Sequence, residues 1–105
     1  MRYDSLKDFL NRSGTILAKG PVALIFAEDE VELASTLRHH LTSGFGAVLV
    51  LMPAALSLEA DLVAKVHRID LDTLAPDMLT QTVNTLIAAA PGTWLYYCYN
   101  AECLF

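Results

Sequence analysis

The chain has 105 residues and a net charge of −5, and its basic residues are scattered without a Lys or Arg run. That argues against a nucleic-acid surface and against attachment to an acidic leaflet. Hydrophobic residues make up 54% and charged residues 18%, against about 45–50% and about 25% in ordinary soluble domains, so disorder is not expected and a fully covered sheet or an apolar contact face is implied.

The length suits one domain, 1–105, and not two. Near the N-terminus, Ser5-Leu6-Lys7-Asp8 resembles a capping box, and Leu6, Phe9 and Leu10 give a short amphipathic helix over 5–13 that Gly14 ends. Gly20-Pro21 punctuates. Val22-Ala23-Leu24-Ile25-Phe26 is a continuous apolar run, the mark of a strand covered on both faces. Glu28-Asp29-Glu30 follows at once and suits a helix N-terminus. The next helix runs to about Ser43, with Leu33, Ala34, Leu37 and Leu41 as its buried stripe and Gly44 at the C′ position.

Ala47-Val48-Leu49-Val50-Leu51 is a second buried strand, ended by Pro53. Leu58 to Ala64 reads as a short helix capped by Ser57, and Val66 to Ile69 or Leu71 as a third strand. Pro76 and Asp77 open a helix in which Leu79, Val83, Leu86, Ile87 and Ala90 line one face, and Pro91-Gly92 stops it. Trp94 to Tyr99 is the last strand. Strands alternating with helices predict an α/β fold, an open, mainly parallel sheet of about four strands with helices on both faces.

In such a sheet the ligand crevice lies past the carboxyl ends of the strands. Two polar segments follow predicted strands closely there: Glu28-Asp29-Glu30 and, after the last strand, Asn100 and Glu102. Carboxylates at such a place hold a divalent cation or accept hydrogen bonds from a base or ribose; helix capping explains the first cluster without any ligand. Asp70 and Asp72 add acid at the same edge, or form a solvated turn before Pro76. His39 and His40, adjacent on a helix, point about 100° apart and cannot chelate one metal; His40 leans toward the buried stripe. His67 stands alone. Gly44-Phe45-Gly46 follows a helix, the wrong side for an anion. Cys98 and Cys103 have no metal-ligand spacing and read as plain apolar residues of a reducing compartment. No apolar run approaches the ~18 residues of a membrane span, and the N-terminus lacks a signal-peptide core, so a cytoplasmic location is expected. The tyrosines Tyr96, Tyr97 and Tyr99 read as core or interface before they read as a stacking platform.

Glu28 to Leu51, with an acidic start, Leu37-Arg38-His39-His40-Leu41, Gly44-Phe45 and an apolar strand, resembles the opening of family 2 glycosyltransferases, and Trp94 to Phe105 is similar to that family's Trp-initiated strand ending in Asp-x-Asp-Glu-Phe. The resemblance implies a GT-A, Rossmann-like nucleotide-sugar fold in which Glu28 and Asp29 contact the nucleotide. Asn100 and Glu102 are then the remnant of the diphosphate edge, where a divalent cation, Mg²⁺ or Mn²⁺, is bound. The Asp-x-Asp positions are Tyr99 and Ala101 here, and only Glu102 keeps the family residue. A cation normally neutralises the diphosphate on transfer, so the expected domain is degenerate or incomplete, without catalytic residues of its own and without the acceptor-binding half.

Two other readings stand beside it. Phe26-Ala27-Glu28-Asp29-Glu30 also looks like the acidic pair of a phosphoacceptor receiver domain, with Asp72 at the phosphorylated position and a sheet order of 2-1-3-4. Alternatively the chain is a non-catalytic assembly module, a homodimer whose apolar surplus is buried by self-association, or part of an assembly with a further C-terminal domain.

Overall fold

A computed structural model describes residues 2–27, 33–71, 77–90 and 92–99, with 13, 18, 19, 98 and 99 described by backbone alone. The elements in chain order are β1 (Arg2–Tyr3), α1 (Leu6–Ser13), a 3₁₀ segment (Gly14–Lys19), β2 (Val22–Phe26), α2 (Leu33–Leu41), β3 (Ala47–Met52), α3 (Ala60–Lys65), β4 (His67–Asp70), α4 (Met78–Ala89) and β5 (Leu95–Tyr99). The strands form one open sheet in the order β1-β4-β3-β2-β5, and every pairing is parallel.

The apolar runs explain the layers. Alternate residues of a strand face opposite sides, so a run with no polar member needs cover on both. All five residues of β2 are fully buried. Val22, Leu24 and Phe26 join Leu49, Leu51 and Ile69 under Phe9 of α1, Leu17 and Val83 and Leu86 of α4. Ala23 and Ile25 join Val48, Val50 and Met52 under Leu33 and Leu37 of α2 and Leu62 of α3. Crossovers toward β4 thus run over one face and crossovers toward β5 over the other, as a single crossover hand requires.

Local chemistry sets the boundaries. Ser5 caps α1, its Oγ accepting from the Asp8 N–H at 3.1 Å. Gly44 follows α2 at a φ of 88°, a left-handed value that glycine takes without steric cost. Helix α3 starts at Ala60 with Glu59 as N-cap, two residues later than the expected Leu58 start, and no side chain caps it. Asp77 precedes α4 at a φ of 59°, tolerable for aspartate.

Four features differ from expectation. Arg2–Tyr3 adds a fifth strand beside β4, and Tyr3 is fully buried against Phe9, their ring centroids 5.1 Å apart; two residues carry no periodicity from which to read a strand. The buried side of α4 is Met78, Thr82, Val83 and Leu86, rotated so that Ile87 is half exposed. His67 is not alone, for its Nδ1 lies 3.2 Å from the Tyr3 hydroxyl. Of the β5 tyrosines read as core or interface, Tyr96 and Tyr97 are 39% and 49% exposed on a border strand, so for these two the core half of that reading does not hold. Taking the Val22 strand as first, the order is 3-2-1-4, which differs from the 2-1-3-4 of a receiver sheet. Among the described residues no helix is long and apolar enough to cross a membrane.

Helices α2 and α3 are joined at their exposed surface by Arg38, which bridges Glu59 and Asp61. Its hydrogen bond holds the Asp61 carboxyl below the usual carboxylate range. A folded-state value below the unfolded one stabilises the fold above about pH 4 and ceases to do so as pH falls through the lowered value. Solvent screens this exposed pair, so the effect is small. Asp61→Asn should therefore be slightly less stable than the parent at neutral pH, and urea titrations should show the gap closing between about pH 5 and pH 3. A gap that widens on acidification contradicts this assignment.

Candidate functional site

Because every strand is parallel, all carboxyl ends lie along one rim. The register carries a level row across it: Tyr3 pairs with Ile69, Ile69 with Leu51, Leu51 with Phe26, and Phe26 with Tyr99. The chain leaves β2 toward β3 by way of α2, but it reaches β5 from β4 by way of α4 on the opposite face. The strand order therefore reverses between β2 and β5. Loops that diverge to opposite faces at such a reversal leave a crevice, the usual ligand position in open α/β sheets.

The segments singled out by sequence follow these two strands. Glu28 and Asp29 come one and two residues after Ala27, itself fully buried with its N–H bonded to Leu51 O at 2.9 Å. Asn100 and Glu102 follow Tyr99. All four lie outside the described residues, as does Asp72, so the structure gives no side-chain geometry for them. Among the described residues no three His, Cys, Asp or Glu side chains converge as a metal site. Asp70 is described, and it faces arginines.

That arginine cluster occupies the other half of the rim. Arg68 is 3% exposed in the middle of β4. Its Nε donates to Asp70 Oδ1 at 3.1 Å and its Nη2 to the carbonyls of Leu56 (2.7 Å), Pro53 and Ala54 (both 3.3 Å). Arg2 donates from Nε and Nη2 to Asp70 Oδ2 at 3.0 and 2.9 Å. One carboxylate is thus shared by two guanidiniums, and a loop whose side chains from Met52 to Leu56 are all apolar is held by its backbone oxygens. A depression of about 430 Å³ beside it is lined by Asp4, Pro53, Ala54, Ala55, Asp70 and Leu71. Every buried side-chain nitrogen and oxygen among the described residues has a partner, so this half of the rim is already satisfied from within. Sequence reading passed over Arg68; the available signal was a guanidinium inside the apolar run Val66 to Ile69, which demands a buried acceptor.

The histidines behave as their spacing implied. His40 is 3% exposed, and its Nδ1 donates to Thr36 O at 2.8 Å, one turn earlier on α2. Its ring lies 5.6 Å from those of Phe45 and Tyr96, so it packs α2 against the border of the sheet. His39 is exposed. Neither is placed for chemistry at the rim.

No protein-family model, curated protein or solved structure matches this chain.

Removing one member of a buried, hydrogen-bonded ion pair strands its partners and typically costs about 3–5 kcal/mol, whereas a half-exposed pair contributes about 0–1 kcal/mol. Arg68→Met should lose about 3 kcal/mol in urea unfolding, and Arg2→Ala, whose side chain is 50% exposed, under about 1 kcal/mol. Equal losses would show that Arg68 does not hold the loop.

Proposed function

We propose that this domain binds a nucleotide sugar, or the nucleotide part of one, at the crevice past the carboxyl ends of β2 and β5, and does not transfer the sugar by itself. The observation that supports the reading is the reversal of strand order between two strands whose ends are level, Phe26 against Tyr99. Glu28 and Asp29 accept hydrogen bonds from ribose hydroxyls or base N–H groups in this reading. Asn100 and Glu102 serve the diphosphate edge, with Glu102 as the remaining ligand for Mg²⁺ or Mn²⁺. Tyr99 and Ala101 stand where transfer would need carboxylates, so binding is proposed without catalysis.

A second reading, compatible with the first, is self-association. The border strand favours it, since Trp94 is 82% exposed and Tyr96 and Tyr97 are partly so. Large apolar groups gathered at one place on a surface mark a contact site.

Thermal unfolding with UDP- and GDP-sugars, with and without Mg²⁺ or Mn²⁺, tests the first reading. A ligand at about ten times its Kd stabilises by about 1.4 kcal/mol, which raises the Tm of a domain this size by roughly 5–10 °C. The shift should vanish in Glu28→Ala and Asp29→Ala. No shift with any nucleotide sugar at millimolar concentration rejects the reading.

A further inference from the structure

Strand β5 borders the sheet, and among the described strands β2 is its one partner. The Val22 N–H donates to Trp94 O at 2.9 Å. Along a strand the N–H and C=O of one residue point to the same side and those of the next residue to the other. Trp94, Tyr96 and Cys98 therefore turn their peptide groups toward β2, and Leu95, Tyr97 and Tyr99 turn theirs to the open border. Such a row is a template for another strand, and proteins ordinarily blunt it with Lys, Pro or a bulge. Residues Thr93 to Tyr99 contain no charge and no proline. The opposite border is blunted: β1 has two residues, and Arg2 on it is ion-paired with Asp70.

We infer that the β5 border pairs with the β5 border of a second copy of this chain, antiparallel about a two-fold axis at Tyr97. The inference deepens the self-association reading and rests on it; it is independent of nucleotide binding. Each copy carries −5, which opposes self-association, so two copies approach at least cost along an uncharged strand. The border strand β5 is of that kind. The described carboxylates Asp4, Asp8, Glu59, Asp61, Asp70 and Asp77 belong with β1, α1, α3, β4 and the start of α4, and none lies on β5. A two-fold pairing is also self-complementary. Tyr97 lies opposite Tyr97, Leu95 opposite Tyr99, and Tyr96 opposite Cys98, with the outward-turned residues forming the hydrogen-bonded pairs. An aromatic side chain presents about 150–250 Å², so the exposed parts of Trp94, Tyr96 and Tyr97 offer roughly 400 Å² per copy. With the strand backbone added, a pair buries on the order of 1,000 Å², enough for a weak, concentration-dependent dimer.

Sedimentation and light scattering of the full chain at about 100 μM and about 1 μM test this. The parent chain should have twice its 11.5 kDa mass at the higher concentration. Tyr97→Pro deletes an outward N–H and no ladder bond to β2, and should be monomeric with parental circular dichroism. Tyr97→Lys, which leaves the backbone unchanged and sets two ammonium groups side by side, should weaken the dimer at least about 10-fold. A dimer that persists unchanged in Tyr97→Lys overturns the β5 border while leaving self-association through another face standing. A monomeric parent at about 100 μM overturns self-association itself.

Discussion

The whole molecule depends on a strand that touches no water. All five residues of β2 are fully buried, with β3 on one flank and β5 on the other. Five apolar side chains alternating between two faces demand cover above and below, which only helical crossovers between parallel strands supply here. Those crossovers force every carboxyl end to the same rim. They also allow the strand order to turn back on itself beside β2, since a chain that has covered one face must use the other to return. The reversal of strand order that carries the functional reading is a by-product of covering β2.

The rim that results is divided. Toward β1 it is closed by Arg68 and Arg2 sharing Asp70 and by the carbonyls of the loop after β3. Donors and acceptors there are matched within the chain, and the outcome is a fixed loop. Toward β5 the rim ends on the level pair Phe26 and Tyr99, and Glu28-Asp29 and Asn100 to Glu102 follow those two strands in sequence. An arginine whose hydrogen bonds are spent on its own backbone differs in kind from a carboxylate proposed to meet a ligand.

How much of this was legible in the sequence depends on the length scale of each signal. Val22 to Phe26 and Ala47 to Leu51 are long enough for an uninterrupted apolar run to mean burial on both sides, and both became strands of the sheet interior. His40 could be placed because helical spacing alone turns it toward Leu33 and Leu37. Arg2–Tyr3 could not, because a two-residue strand exists only through its partner β4. The same holds for Arg68, whose burial depends on a loop more than ten residues earlier folding back over it. Strand β5 left two readings open: its aromatic residues read as core or interface, and a run of aromatics does not reveal whether the strand lies at the centre or at the border. The residues proposed to meet a nucleotide are legible as chemistry, and the strands before them as geometry.

The two borders of the sheet are unequal, and that asymmetry has a bearing on solubility. A sheet adhesive along both margins can add copies without end and grow into a fibre. Here, among the described strands, one margin is a stub of two residues whose Arg2 is ion-paired with Asp70, so of the two margins only β5 offers a row of five residues to a further strand. A short, ion-paired margin of this kind is the ordinary guard against open-ended growth of a sheet.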